Sequence, residues 1–446
     1  MDETVELGQM LTARDRRADR QRELLEQYRL PIISFTMNIA GPVKNSPSIR
    51  RGFALGRELL LGQLQRVKAP LVHREEIDEV TGCEGLYVAE LPASALKAIT
   101  VELEERTDLG RLFDLDVLSP DGEKLERPTP RRCLVCGRPV SECARSRSHT
   151  VPELQRKTHE LLTAALDRHD ARTAASLAVR ALLFEVSVTP KPGLVDRENN
   201  GSHRDMDFYT FLSSASVLYP YFSECFTVGR ETAADPAPLT FSRLRVPGKL
   251  AEGDMLLATH GINTHKGAIF TLGLVCGALG RLSPRDRKAP AAVLAQVSAM
   301  TAGVEGELSD TTDSSARTVG QRLFARYGLT GVRGQAAAGF PTVLHDGLPV
   351  LEEGLRQGRG PDEAGAAALL AILSRTTDTN MISRGGREKQ QEKSEQLLTL
   401  LAAEPYPDRQ TLEELDREYA AENLSPGGSA DLLALCWLLH FLKEEP

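Results

Sequence analysis

The segment TPKPGLVDRENNGSHRDMDF, residues 189–208, gathers Lys191, Asp196, Glu198, His203, Asp205 and Asp207 between two apolar, helix-forming stretches. Loops that carry many ionisable groups on a rigid scaffold often serve as sites. Asp196, Asp205 and Asp207 can bind Mg²⁺ or act as general base, and Lys191 and Arg204 can hold phosphate. The plain alternative is a long polar turn in which Asp205 or Asp207 caps the next helix, and composition leaves both readings open. ATHGINTHKGAIF, 258–270, predicts a helix start capped by Asn263 or Thr264. Lys266 then lies in its first turn and Gly267 permits close approach, which makes an anion cradle. His260 and His265 there are proton carriers or metal ligands, or simply surface histidines. In RTTDTNMISRGG, 375–386, Asp378 and Asn380 are expected to end one helix, and Arg384 with two glycines offers another phosphate position.

Three stretches of the first half also carry chemistry. In GRLFDLDVL, 110–118, strand alternation puts Asp114 and Asp116 on one face. Two such carboxylates can share Mg²⁺ beside a nucleotide phosphate, although spacing alone favours a solvated acidic strand face. AGPVKNSPSIRRGF, 40–53, brings Lys44, Arg50 and Arg51 to a helix start that Ser46 or Ser48 can cap. RRCLVCGRPVSECARSRSH, 131–149, holds Cys133, Cys136, Cys143 and His149, a set able to bind structural zinc. Its later spacing departs from the usual finger, so packed reduced thiols are the favoured reading. The charged run TARDRRADRQREL, 12–24, reads as a solvated helix face.

The elements that must position these residues fall into two textures. Up to about residue 120, the pattern reads strand (30–40), helix (49–66), two strands, helix (92–105), strand (111–119). That order, β-α-β-β-α-β, is the ferredoxin-like α+β arrangement. From about 153 the chain becomes all-α, with helices expected at 171–187, 207–228, 263–281, 287–303, 314–327, 361–375, 409–422 and 429–443, and a surface loop at 230–238. The expected domains are 1–166 and 167–446. The final helix is apolar nearly all round and should be buried.

Composition bounds the function. With 446 residues and a net charge of −8, the chain has room for two or three cores and no overall basic field for nucleic acid. The first thirty residues are charged, without the apolar segment of a secretory leader, and no apolar run is long enough for a bilayer. Seven cysteines without an export signal suggest a reducing cytoplasm.

Longer strings carry a resemblance over nearly the whole chain. SFTMNIAGPVKNSPSIRRGF, ELEERTDLGRLFDLDVLSPDG and the Cys/His segment resemble apo-citrate lyase phosphoribosyl-dephospho-CoA transferase, the holo-citrate lyase synthase family. ALLFEVSVTPKPGLVDRENNGSHRDMDFYTFL, GINTHKGAIFTLG, YGLTGVRGQAAAGFPTV and DTNMISRGG resemble triphosphoribosyl-dephospho-CoA synthase. The resemblance implies a fused, bifunctional transferase. Its helical half joins ATP to the 2′-hydroxyl of dephospho-CoA and releases adenine. Its α+β half moves the product onto a serine of the citrate lyase acyl carrier protein and releases pyrophosphate. It also implies roles: Asp196, Asp205, Asp207 and Asp378 for base and Mg²⁺, and His203, His260 and His265 for proton transfer. Lys191, Asn263, Lys266 and Arg384 would hold the triphosphate. In the first half, Asp114 and Asp116 would carry Mg²⁺, and Lys44, Arg50, Arg51 and Arg111 would neutralise phosphates. Rival readings are the same chemistry for malonate decarboxylase, an N-glycoside hydrolase, and a zinc-binding adaptor.

Overall fold

The computed structural model describes residues 3–304 and 319–445. Two compact units divide at His169 and Asp170.

In the first unit, α1 (Leu7–Tyr28) precedes β1 (Ile32–Met37), α2 (Pro47–Arg66), β2 (Leu71–Glu79), β3 (Gly82–Ala89), α3 (Ala93–Arg106) and β4 (Phe113–Leu118). The strands form one antiparallel sheet in the order β2-β3-β1-β4, so the β-α-β-β-α-β reading holds in order and sense. Alternation decides the faces. Phe113, Leu115 and Val117 are buried while Asp114 and Asp116 turn to the other side. Phe35 stacks on Phe53 at 4.5 Å and meets Phe113 edge-on at 5.3 Å, which centres the core against α2. Ser46 accepts the Ile49 N–H and Pro47 opens α2, as capping chemistry requires. The charged run of α1 is not merely solvated. Arg16, Arg17 and Arg20 pair with Glu79, Glu84 and Glu75 of the sheet, while Leu24 and Leu25 pack with Ile32, Leu86 and Val88. A short α4 (Val140–Ser146) follows the cysteine segment.

Helix α5 (Val151–Ser187) carries the chain into the second unit. There follow α6 (Phe208–Val217), α7 (Tyr219–Glu231), α8 (Ala237–Ala258), α9 (Lys266–Arg281) and α10 (Pro290–Met300). Then come α11 (Val319–Tyr327), α12 (Gly331–Ala337), α13 (Leu348–Arg356), α14 (Pro361–Arg375), α15 (Thr379–Ala403), α16 (Arg409–Ala421) and α17 (Gly427–Glu444). Residues 314–318 of one expected helix lie outside the described residues. The core is built on α9, α14 and α17, each buried along nearly its whole length. Leu432, Leu433, Leu435, Trp437, Leu439 and Phe441 are all buried, as the all-round apolar pattern of α17 demands.

Four expectations need correction. The helix expected at 207–228 is two, α6 and α7, which part at Leu218 just before Pro220. The stretch after Pro236 is helix α8, not open loop, because Pro236 and Pro238 suit the start of a helix and only residues 232–236 connect it to α7. Asp378 begins a helix instead of ending one: its Oδ1 accepts the N–H groups of Asn380 and Met381, and α15 runs past Arg384 to a break at Gly386 (φ 84°, ψ 169°), beyond which a second helical stretch reaches Ala403. Neither Asn263 nor Thr264 caps α9, whose N-cap position is His265.

Candidate active sites

A cavity of about 770 Å³ in the second unit is bounded by the N-termini of α9, α15 and α17, through Lys266–Gly267, Thr379–Asn380 and Gly427–Gly428. The first turn of a helix leaves N–H groups without intrahelical partners and carries partial positive charge, so three such ends form an anion cradle. Lys266, Arg322, Arg333 and Arg384 add cationic side chains to its wall.

Opposite charge is buried in the same wall. Glu185, at the end of α5, receives the Lys191 ammonium at 2.6 Å, and both side chains are almost wholly withdrawn from solvent. Burial pushes the Glu185 carboxyl up, and Lys191 opposes the shift. Asp431 of α17 is pushed well above the ordinary carboxylate range, first by burial, then by the charges of Glu185 and Asp378. Gly267 explains how it fits. A methyl group at that position would overlap Asp431 Oδ2, so only glycine lets the carboxyl lie against the start of α9.

His265 is buried and neutral, its pKa lowered to about 3 by burial and then by Lys191. Thr264 Oγ1 donates to Ser214 Oγ at 2.7 Å, and Ser214 Oγ stands 2.7 Å from His265 Nδ1. A hydroxyl that accepts from Thr264 has its own proton to give to Nδ1, which assigns the ring proton to Nε2. Nε2 is buried in the cavity wall without a partner among the described residues. His203 Nε2 bonds Ser425 Oγ at 2.8 Å, and burial followed by the Arg384 charge lowers its pKa.

The first unit holds a cavity of about 1290 Å³, lined by five arginines: Arg111, Arg127, Arg131, Arg132 and Arg147. Buried Glu104 anchors part of this wall. It pairs with Arg127 at 2.6 Å and with Arg131, and accepts the Leu115 N–H at 2.8 Å. Arg111 Nη2 donates to the Cys133 carbonyl at 2.9 Å. The ligand atoms of Cys133, Cys136, Cys143 and His149 all lie within 4.8 Å of one another beside this cavity.

These geometries can be set beside known proteins. The family profile of ATP:dephospho-CoA triphosphoribosyl transferase (CitG) matches residues 171–446. That of apo-citrate lyase phosphoribosyl-dephospho-CoA transferase (CitX) matches residues 5–165. Protein CitXG of Haemophilus influenzae is 36% identical over 448 residues, covering 97% of this chain and 95% of that protein. This chain is a member of the CitXG family. Protein CitXG of Leuconostoc mesenteroides subsp. cremoris is 32% identical, covering 97% of this chain and 96% of its own. The 2-(5''-triphosphoribosyl)-3'-dephosphocoenzyme-A synthase of Pectobacterium atrosepticum is 45% identical over 267 residues, 59% of this chain and 87% of that one. No helix among the described residues is long and apolar enough to cross a membrane.

Of the residues singled out from sequence, the CitXG-type second unit brings Lys191, His203, Asp205, Asn263, His265, Lys266 and Arg384 to one cavity. It does not bring Asp196, Asp207 or Asp378 there. Asp196 Oδ1 accepts the N–H groups of Glu198 and Asn199, and Oδ2 accepts that of Lys191, so this carboxylate organises its own loop. Asp207 caps α6 through the Thr210 N–H. Asp378 ties α15 to α17 by accepting the Ser429 N–H and hydroxyl at 2.7 and 2.9 Å. Lys191 is spent on Glu185 and His260 is not among the lining residues. In the CitXG-type first unit only Arg111 of the expected phosphate ligands lines the cavity. Lys44 donates to the Ile39 carbonyl, Arg50 to Asn45, and Arg51 is likewise not among the lining residues. Asp114 pairs with Arg131 at 3.1 Å and Asp116 with Lys124 at 2.6 Å. Glu185, Asp431 and Glu104 escaped sequence reasoning. Glu185 and Asp431 each stand as a lone acid within an apolar stretch, whereas Glu104 lies between Glu102 and Glu105 and nothing in the sequence singles it out.

Proposed function

We propose that this chain makes and attaches the citrate lyase prosthetic group, with the cavity at three helix N-termini as the site of the first reaction. There the C1′–N9 bond of ATP breaks, and the 2′-hydroxyl oxygen of dephospho-CoA bonds to C1′. Adenine and triphosphoribosyl-dephospho-CoA are the products. The observation that carries this reading is the union of an anion cradle with two carboxyls, buried Glu185 and half-buried Asp431, in one cavity.

Unequal surroundings divide the carboxyl roles. Asp431, facing other carboxylates, keeps its proton and gives it to the departing adenine. Glu185, facing Lys191, is the ionised partner and takes the proton of the attacking hydroxyl. Its charge also stabilises the oxocarbenium-like centre between them. The two protons balance, and solvent exchange resets the pair. His265 Nε2–H donates a hydrogen bond to substrate, and Lys266, Arg333 and Arg384 hold the triphosphate with the helix ends. Asp196, Asp207 and Asp378 are positioning residues. No three carboxylates of this wall converge among the described residues, so a Mg²⁺ ion would enter with the ATP triphosphate, where it would neutralise phosphate charge.

The first unit takes the second reaction. The carrier serine oxygen bonds to the α-phosphorus of the intermediate, the α–β anhydride breaks, and pyrophosphate leaves. The five arginines neutralise the triphosphate in the first-unit cavity. Asp114 and Asp116 are already paired with cations, and no step is derived through an ion there.

The test incubates the full chain with ATP, Mg²⁺ and dephospho-CoA, then adds apo carrier protein. Adenine that appears only with dephospho-CoA, followed by a mass gain on the carrier, is expected. Adenine released equally without dephospho-CoA would replace the transferase with a glycoside hydrolase.

A further inference from the structure

The cysteine segment has an architecture that the transfer chemistry does not use. Cys133 and Cys136 sit on a tight hairpin. Cys133 N–H donates to the Arg138 carbonyl at 2.7 Å and Gly137 N–H to the Cys133 carbonyl at 3.0 Å. An antiparallel bridge joins Arg132 to Pro139. Gly137 takes φ 74°, the left-handed conformation such a turn needs. Cys143 projects from α4, and the chain reverses at Arg147, φ 46°, to bring His149 back.

The four side chains therefore converge from three local elements. Cys136 Sγ and Cys143 Sγ are 3.3 Å apart, and all four ligand atoms lie within 4.8 Å. A tetrahedron with Zn–S bonds of about 2.3 Å has edges of about 3.8 Å, so this is the span one zinc ion bridges. His149 Nε2 is buried with no hydrogen-bond partner among the described residues. A seven-residue α4 is too short to be stable by itself, and the segment contributes few side chains to the core of the unit. Something else must hold it.

We propose that Cys133, Cys136, Cys143 and His149 bind one Zn²⁺ ion as three thiolates and a neutral imidazole. Four protein ligands leave no open position, so the ion is structural. Thiolates with one imidazole are a soft donor set suited to zinc, and binding releases thiol protons. The ion fixes one wall of the arginine-lined cavity, since the Cys133 carbonyl receives Arg111 and α4 ends at Arg147. That last consequence rests on the proposed transfer reaction; the metal site does not.

The experiment uses the full chain, produced without a polyhistidine tag, kept reduced, and analysed for metals by inductively coupled plasma mass spectrometry. About one zinc per chain is expected. Cys136→Ser and Cys143→Ser should lose it and Cys83→Ser should keep it. His149→Cys, which restores four ligands, should retain zinc where His149→Ala does not. Adenine release in each variant reports that the second unit is folded. No zinc after incubation with zinc and removal of excess, zinc unchanged in Cys136→Ser, or stoichiometric iron in its place would each overturn the proposal. A chain two hydrogens lighter under non-reducing conditions and free of zinc would assign the cluster to a disulfide instead. Failure of carrier labelling in a chain that holds zinc would count against the transfer reading alone.

Discussion

The two cavities present positive charge by different means. In the second unit positive potential comes from backbone, at the ends of α9, α15 and α17, with side-chain cations added at the rim. In the first it comes from guanidinium groups on an irregular segment, held by Glu104 and by the cysteine turn. Helix ends are placed by the packing of the core and need no further support. Arginines on a loop have conformational freedom to lose, so each must be tethered. Under the proposed mechanism, the contrast explains why one unit places carboxyls as acid and base, while the other buries one as an anchor.

The strongest way to break the comparison is Asp431→Asn. If α17 supplies the acid, adenine release should fall by about 10²–10⁴-fold, while transfer of pre-made intermediate to the carrier is unchanged. Chromatography of free adenine and intact mass of the carrier read the two arms. Glu104→Gln probes the other side. Losing the charge that faces Arg127 and Arg131 leaves a buried pair broken, which costs about 3–5 kcal/mol. Carrier labelling should collapse and the first unit should unfold at lower urea, with adenine release intact. Gly267→Ala should lower adenine release less than Asp431→Asn does, because its methyl displaces that carboxyl without removing it.

Acid pH sharpens the contrast in stability. His265 is neutral when folded, with a pKa near 3, but titrates near 6.5 when unfolded. The unfolded chain binds the extra proton, so this contribution is full above about pH 6.5 and is lost as pH falls toward 3. His265→Asn should flatten that acid loss in urea titrations of the second unit. The smallest effect expected is Lys266→Met. Its ammonium is half exposed and paired with Glu252 at 2.7 Å, so the KM for ATP should rise severalfold with kcat little changed.

Much of this was legible beforehand where a local rule governs. Strand alternation at Phe113–Leu118 and the Ser46 cap depend on neighbours in sequence, and so do the burial of α17 and the capping by Asp207. Carboxylates were harder to read. A crowded loop looked like a site, yet Asp196 serves the N–H groups of that loop, because a turn this tight must satisfy its own backbone. The acids that face the cavity are single residues in helices, Glu185 and Asp431, and only tertiary packing brings them together. Asp378 looked like a stop because capping residues flank both ends of helices, and the following glycines strengthened that impression. The glycines do mark a stop: Gly386, at φ 84° and ψ 169°, is non-helical and separates a first helical stretch from the one that runs on to Ala403. The four Cys/His positions could be named from sequence, but their convergence could not: the reversal at Arg147 returns His149 to the three cysteines, which linear spacing does not show.

Asp431 belongs to α17, the final element described in the chain, which also forms the middle of the helical core. A ribosome adds about 5–20 residues per second. The first unit is complete in sequence at His169, whereas Asp431, the proposed acid for adenine departure, is made only with the last helix described. During each round of synthesis, then, the transferase that consumes the intermediate can fold before the synthase that makes it. If Asp431 is that acid, adenine release on a growing chain waits until the whole first unit has been made.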